Sequence, residues 1–110
     1  MFKVRETSTF FLVRDGDVKI GQDNSFVAKV GDEVRLKLID REIEIHALIT
    51  EVDPDEISAK IVSYHPEVRA KTTDERLKQI REDEDFINNN NLTNGKMLKF
   101  KQRNIYSIFR

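Results

Sequence analysis

The sequence predicts a mainly β fold, a small antiparallel barrel with an N-terminal hairpin and one helical insertion before the last strands. Two observations support this prediction. Between residues 34 and 62, apolar and polar residues alternate in three runs, as expected when strand side chains point in turn to opposite faces. Between residues 67 and 91 the alternation stops, and apolar residues recur at helical spacing instead.

The chain begins with a predicted hairpin over residues 9–20. The apolar run 10–13 leads into Asp15 and Gly16, a pair that tolerates the positive φ angles of a tight turn. Val18 and Ile20 would then return along the partner strand. Residues 21–25 are rich in polar residues and glycine, so the sequence predicts a loop after the hairpin.

A three-stranded meander follows this loop. Its strands are predicted at residues 34–38, 43–52 and 57–62. Asp53, Pro54 and Asp55 separate the second strand from the third, and proline favours a turn because its ring presets φ. The short connection predicts that these two strands pair antiparallel.

A helix is predicted from about residue 73 to about residue 87, within the insertion 67–91. Thr72 is followed three residues later by Glu75, a capping-box signature of a helix start. The four asparagines 88–91 favour turns and should end the helix. This tract also resembles the coding bias of AT-rich genomes, so a phage or mobile-element origin is a hypothesis from composition.

Residues 92–110 return to β character, with Leu98 and Phe100 alternating with lysines. A short strand, a brief turn and a last strand at 105–109 would bring the C-terminus back to the start of the sheet. That return would close an edge otherwise left unpaired.

In this order of elements the chain resembles small SH3-like β-barrels, including bacterial barrel domains of unassigned function. The resemblance covers residues 26–64 and 92–110 and implies a fold without a functional site. In SH3-like folds a strand, one turn of tight helix and a short final strand often close the barrel. The segments that carry the resemblance are Gly31–Val34, Ile43–Val52, Ile57–Val62, Gly95–Phe100 and Asn104–Ile105.

Length and composition predict one domain, residues 1–110, with a modest core. The absence of cysteine excludes disulfides, thiolate nucleophiles and thiolate metal sites, and favours a cytoplasmic location. No apolar run approaches the roughly 20 residues of a membrane span, so no membrane partner is expected. With 35% charged residues, little apolar surface is left for stability, which leaves a protein partner or a homo-oligomer open.

The sequence contains no motif that commits it to catalysis, and we expect neither an enzyme nor a cofactor. Glu42, Glu44 and His46 alternate along one strand, a spacing that could present ligands to zinc. A polar strand face exposed to water explains the same spacing, because a closed zinc site needs more strong ligands. We therefore predict no metal site.

The basic C-terminal segment is the first candidate binding surface. Residues 92–110 hold five basic residues and no acidic one, whereas the whole chain has a net charge of −1. Basic and aromatic residues interleave here, as in nucleic-acid-binding strands, although lysines on a solvated strand explain the pattern too. The candidate residues are Lys96, Lys99, Lys101, Arg103 and Tyr106.

The predicted helix is the second candidate surface. Leu77, Ile80 and Ile87 lie at helical spacing and either plug one end of the barrel or present an apolar stripe to another protein. The sequence therefore favours a non-catalytic, protein-binding accessory or inhibitory module. Nucleic-acid binding through the basic C-terminal strands is the alternative.

Overall fold

The computed structural model describes residues 1–24 and 27–110, which form seven strands, one α-helix and one turn of 3-10 helix. The helix α1 (Thr73–Asn89) connects β5 to β6, and the 3-10 turn (Gln102–Asn104) connects β6 to β7. The mainly β prediction, the N-terminal hairpin and the helical insertion are confirmed. The strands are β1 (Thr9–Arg14), β2 (Asp17–Gln22), β3 (Glu33–Lys37), β4 (Ile43–Val52), β5 (Ile57–Pro66), β6 (Met97–Phe100) and β7 (Ile105–Phe109).

The strands form a mixed sheet in the order β2-β1-β7-β3-β4-β5-β6. The β1–β7 pair is parallel and the other neighbouring pairs are antiparallel, including the predicted β4–β5 hairpin. The sheet is not closed, which differs from the predicted barrel. The reason is that the hairpin β1–β2 pairs with one side of β7, so β2 and β6 are left as the two edges.

The core lies under the inner face of the meander and is completed by the segments around it. Leu36, Ile45 and Ile61 point inward from three adjacent strands and are fully buried. Ile87, near the end of α1, and Leu92, shortly after it, pack into the same cluster. Since burying a large aliphatic side chain contributes about 1.5–3 kcal/mol, the end of the helix stabilises the fold.

Helix α1 begins as predicted, because the Thr72 hydroxyl accepts a hydrogen bond of 3.2 Å from the Glu75 N–H. It continues through Asn89, about two residues beyond the prediction. Burial of Ile87 overrides the weak helix propensity of the asparagines that follow it. Asn91 then adopts a positive φ of 54°, which asparagine tolerates, and the chain leaves the helix.

The predicted loop at residues 21–25 starts later than expected, because β2 extends through Gln22. Ser25, like Phe26, lies outside the described residues. Position 21 of this strand is a glycine for a steric reason, because a Cβ there would lie 2.6 Å from the ring of Phe10. A glycine in this strand therefore marks the close approach of an aromatic ring.

Candidate protein-binding surface

The outer face of the N-terminal hairpin is apolar. Asp15 and Gly16 take φ angles of 50° and 83°, which produce a two-residue turn whose twist matches the paired strands. The register sets Phe11 opposite Ile20, and Val13 opposite Val18, on the face away from the core. Phe11 is 49% exposed and Ile20 is 69% exposed, whereas Phe10 and Leu12 on the other face are buried.

This face continues into an open groove with a volume of about 720 Å³. Phe11 and Ile20 line the groove together with Val4, Ile39 and Tyr106, and polar residues of the N-terminal segment complete the lining. Val4 and Ile39 are also more than half exposed. We call these five residues the apolar groove.

The N-terminal segment forms part of the groove because Arg5 holds it in place. Arg5 is 4% exposed, and its backbone N–H donates to the Arg103 carbonyl at 2.8 Å. Its guanidinium also contacts the ring of Phe10, 5.4 Å from the ring centroid. The guanidinium donates hydrogen bonds to the Asp23 carboxylate and to four backbone carbonyls, those of Thr7, Thr9, Gln102 and Ile105.

Two lysines lie in or beside the lining of the apolar groove. Lys3 lines it directly, and the Lys37 ammonium lies 4.5 Å from the centroid of the Tyr106 ring. Glu6 is the acidic residue in the lining. The groove therefore combines exposed apolar side chains with basic ones at or beside its lining, which suits an apolar segment that carries an acidic residue.

The predicted helical stripe is divided by the structure. Ile87 is 2% exposed and belongs to the core, so it cannot contact a partner on the surface. Leu77 and Ile80 are exposed on the N-terminal half of α1. Two exposed apolar residues among charged neighbours are common on soluble proteins and do not define a site.

Three of the five candidates of the basic C-terminal segment, Lys99, Lys101 and Arg103, line one broad depression, whereas Lys96 and Tyr106 lie outside it. Lys96, Lys99 and Lys101 are exposed along β6 and its flanks. Arg103 also pairs with Asp23, with an Arg103 Nε to Asp23 Oδ2 distance of 2.6 Å, so part of its charge is neutralised. Tyr106 is part of the apolar groove.

An acidic turn also lies beside this basic segment. A broad depression of about 1390 Å³ is lined by Lys99 and Lys101 together with Asp53, Asp55 and Glu56 of the turn between β4 and β5. Ile57, directly after this turn, pairs with Phe100 on β6, which brings the opposite charges together. The carboxylates would repel phosphate from the lysines.

Two residues of the alternating row, Glu44 and His46, stay in contact, with a His46 Nε2 to Glu44 Oε2 distance of 3.9 Å. The His46 ring stacks on Phe109, with centroids 5.7 Å apart, and contacts the ring of His65, which is tilted by 56° at a centroid distance of 4.5 Å. Burial and then the charge of His65 lower the pKa of His46, while Glu33 and Glu44 act in the opposite direction. Among the described residues, no group of three or more histidine, cysteine, aspartate or glutamate side chains is arranged to hold a metal ion.

Glu42 lies just before the start of β4 and lines a small pocket together with His65. Its carboxylate is 3.5 Å from the Arg69 guanidinium and hydrogen-bonds to the carboxyl group of Glu67. That hydrogen bond lowers the pKa of Glu42 and raises the pKa of Glu67, because one group accepts the proton that the other donates. Both groups are exposed, so the pair is a local surface feature.

No protein-family model, curated protein or solved structure matches this chain. Within residues 1–24 and 27–110, no helix has the length and apolar character needed to cross a membrane. The site therefore rests on the geometry of the apolar groove alone.

Sequence reasoning missed most of the groove. Val18 and Ile20 were recognisable as strand residues, but the alternation did not reveal that their face stays exposed. Val4, Ile39 and Tyr106 come from three distant segments, and no local pattern connects them. Arg5 gave no signal either, because a single arginine near the N-terminus is ordinarily a surface residue.

Proposed function

We propose that the protein is a non-catalytic binding module that docks on another protein through the apolar groove, as an accessory or inhibitory component. The observation that supports this proposal is the exposure of Val4, Phe11, Ile20 and Ile39 around one depression. Contiguous apolar surface is costly to leave in water and is typical of interaction sites. A single cytoplasmic domain spanning residues 1–110 is part of the same proposal, and the absence of cysteine favours the location.

An SH3-like architecture is the finer part of the proposal. A short strand, one turn of 3-10 helix and a final strand follow one another at β6 and β7, as in those folds. The hairpin β1–β2 is an addition to that arrangement, and it carries Phe11 and Ile20, two of the five residues of the apolar groove. A phage or mobile-element origin remains a hypothesis based on the asparagine tract at residues 88–91.

The proposed partner segment is apolar and carries an acidic residue. Its apolar side chains would pack on Phe11 and Ile20, and its carboxylate would approach Lys3 and Lys37. Aromatic and aliphatic contacts would supply most of the affinity, and the charge would orient the segment.

Selection from a random peptide library tests the proposal. We expect the wild-type protein to select peptides with two or more large apolar residues and an acidic one. Ile39→Asp and Ile20→Asp should each weaken binding of a selected peptide roughly tenfold or more, since each places a carboxylate in the apolar interface. Val68→Asp is the matched control, because Val68 is equally exposed but lies outside the groove.

The result that would overturn the proposal is a set of selected peptides that bind all three variants as tightly as the wild type. If the groove variants do weaken binding, affinity capture from the source organism, with Ile39→Asp as the comparison, would identify the natural partner.

Nucleic-acid binding is the second candidate function. The exposed lysines Lys96, Lys99 and Lys101 favour it. The pairing of Arg103 with Asp23 and the acidic turn beside β6 oppose it. We rank it below protein binding for that reason.

A further inference from the structure

The outer edge of β2 exposes hydrogen-bonding backbone groups. In the two-residue hairpin, Asp17 closes the turn opposite Arg14, and the Asp23 N–H donates to the Ser8 carbonyl at 2.9 Å. Odd-numbered residues of β2 therefore turn their backbone groups toward β1. Val18 and Ile20 turn theirs outward, and no strand of the described chain pairs with that side.

The two edges of the sheet differ in their protection. β6 has four residues, and three lysines lie on it or directly beside it, an arrangement that discourages pairing with another strand. β2 has six residues and a single lysine, Lys19. The β2 edge is therefore the one open to a further strand.

Lys19 and Asp17 carry opposite charges on the same face of β2, separated by Val18. Both side chains are exposed, and neither forms an ion pair within the described chain. A lone lysine would ordinarily oppose strand addition at an edge. An incoming strand with an acidic residue opposite Lys19 and a basic residue opposite Asp17 would remove that obstacle.

We infer that β2 pairs antiparallel with β2 of a second copy of this chain, about a two-fold axis through Val18. In this register Asp17 faces Lys19 of the second copy, and Lys19 faces Asp17 of the second copy. Both charged pairs occupy the closely spaced positions of the ladder, where side chains approach most nearly. The two Val18 residues exchange the outward backbone hydrogen bonds.

Charge favours this register over neighbouring registers that also keep the apolar residues on one face. A ladder centred on Lys19 would set the two lysines against each other. A ladder centred on Ile20 would set Asp17 against Asp23, which already binds Arg5 and Arg103. A ladder centred on Gly21 would pair Lys19 with Asp23, which is occupied in the same way, so the ladder centred on Val18 is the one that pairs opposite charges not already in ion pairs.

The dimer has a consequence for the apolar groove, although the inference does not depend on what that groove binds. The two-fold axis is perpendicular to the sheet, so both grooves face the same side. Ile20 of each copy lies diagonal to Val18 of the other, and the two apolar faces become continuous. A partner with two binding segments would gain affinity from such a bivalent surface.

Charge reversal in the full chain tests the inference. Sedimentation over a wide range of concentrations at low salt should show the mass rising from 12.9 kDa toward twice that value. Asp17→Lys alone, and Lys19→Asp alone, should each weaken dimerisation roughly tenfold, since two attractive pairs become repulsive. The double variant Asp17→Lys/Lys19→Asp should restore dimerisation.

Asp85→Lys is the control, because it changes the charge at an exposed helix position far from β2 in the sequence. Thermal unfolding confirms that each variant is folded. A wild-type protein that stays monomeric at every concentration would overturn the inference. A double variant that dimerises no more tightly than the single variants would also overturn it. Species that grow beyond a dimer would show β2 pairing with β6 instead.

Discussion

Arg41, in the turn between β3 and β4, forms a salt bridge of 2.8 Å with Asp83 on helix α1. The Arg41 Nε donates a second hydrogen bond of 2.9 Å to the same Asp83 oxygen, and the guanidinium lies 5.9 Å from the centroid of the Phe86 ring. The Asp83 side chain is 3% exposed, whereas that of Arg41 is 25% exposed. This contact fixes the helical insertion against the sheet.

The unequal burial of this pair predicts unequal effects of mutation. Arg41→Ala leaves a buried carboxylate without its cation and should lower the free energy of unfolding by about 3 kcal/mol. Asp83→Ala leaves a partly exposed guanidinium that water can solvate, so its cost should be about 1–2 kcal/mol. Chemical denaturation of both variants measures the difference.

A double-mutant cycle provides the check on that interpretation. Arg41→Ala/Asp83→Ala should be more stable than Arg41→Ala alone, because the second change removes the stranded carboxylate. The exposed pair Lys78–Glu82 is the matched control, and Lys78→Ala should change stability by less than about 0.5 kcal/mol. Additive effects of the two mutations would contradict an ion pair that stabilises the docked helix.

The helical stripe provides a second prediction. Ile87→Ala should lower the free energy of unfolding by about 2–5 kcal/mol, since it creates a cavity in the core. Leu77→Ala is the same type of truncation at an exposed position and should cost less than about 0.5 kcal/mol. Equal effects in thermal or chemical denaturation would mean that α1 packs differently against the sheet.

His46 predicts a dependence of stability on pH. Its pKa in the folded protein lies below the ordinary value of 6.5, first because of burial and then because of His65. The unfolded chain therefore binds this proton at a higher pH than the folded chain does. Stability contributed by neutral His46 is present above about pH 6.5 and decreases as the pH falls through and below that value.

Two variants isolate the contribution of His46. His46→Gln should reduce the loss of stability between about pH 7.5 and about pH 5.5, measured by urea denaturation. Glu33→Gln should increase that loss, because the Glu33 carboxylate raises the pKa of His46. A pH profile unchanged by His46→Gln would exclude this histidine as the source.

The basic C-terminal segment predicts weak, non-specific nucleic-acid binding. Each lysine–phosphate contact with duplex DNA should add a slope of roughly −0.9 to the plot of log affinity against log salt concentration. Because acidic residues lie beside Lys99 and Lys101, we expect no submicromolar binding at about 150 mM salt. Fluorescence anisotropy with labelled DNA and RNA measures it. Submicromolar binding that Lys99→Ala/Lys101→Ala abolishes in a folded protein would place this function first.

The sequence by itself determined the local elements. The alternation at residues 43–52 and 57–62, with a proline turn between them, predicts the β4–β5 hairpin because strand side chains alternate between two faces. Asp15 and Gly16 likewise predict the N-terminal turn, and Thr72 with Glu75 predicts the start of α1. These features depend on backbone preferences and neighbouring residues, which a sequence displays directly.

The tertiary structure decided which of these faces are buried and which segments meet. Alternation along β2 does not reveal that Val18 and Ile20 stay exposed among the described residues, because coverage depends on the placement of other strands. The insertion of β7 between β1 and β3 left β2 at an open edge and placed Tyr106 beside Phe11 in the apolar groove. Likewise, Arg5 became a buried anchor only because five acceptors from separate segments converge on it. Such contacts between distant residues leave no periodic signal in a single sequence.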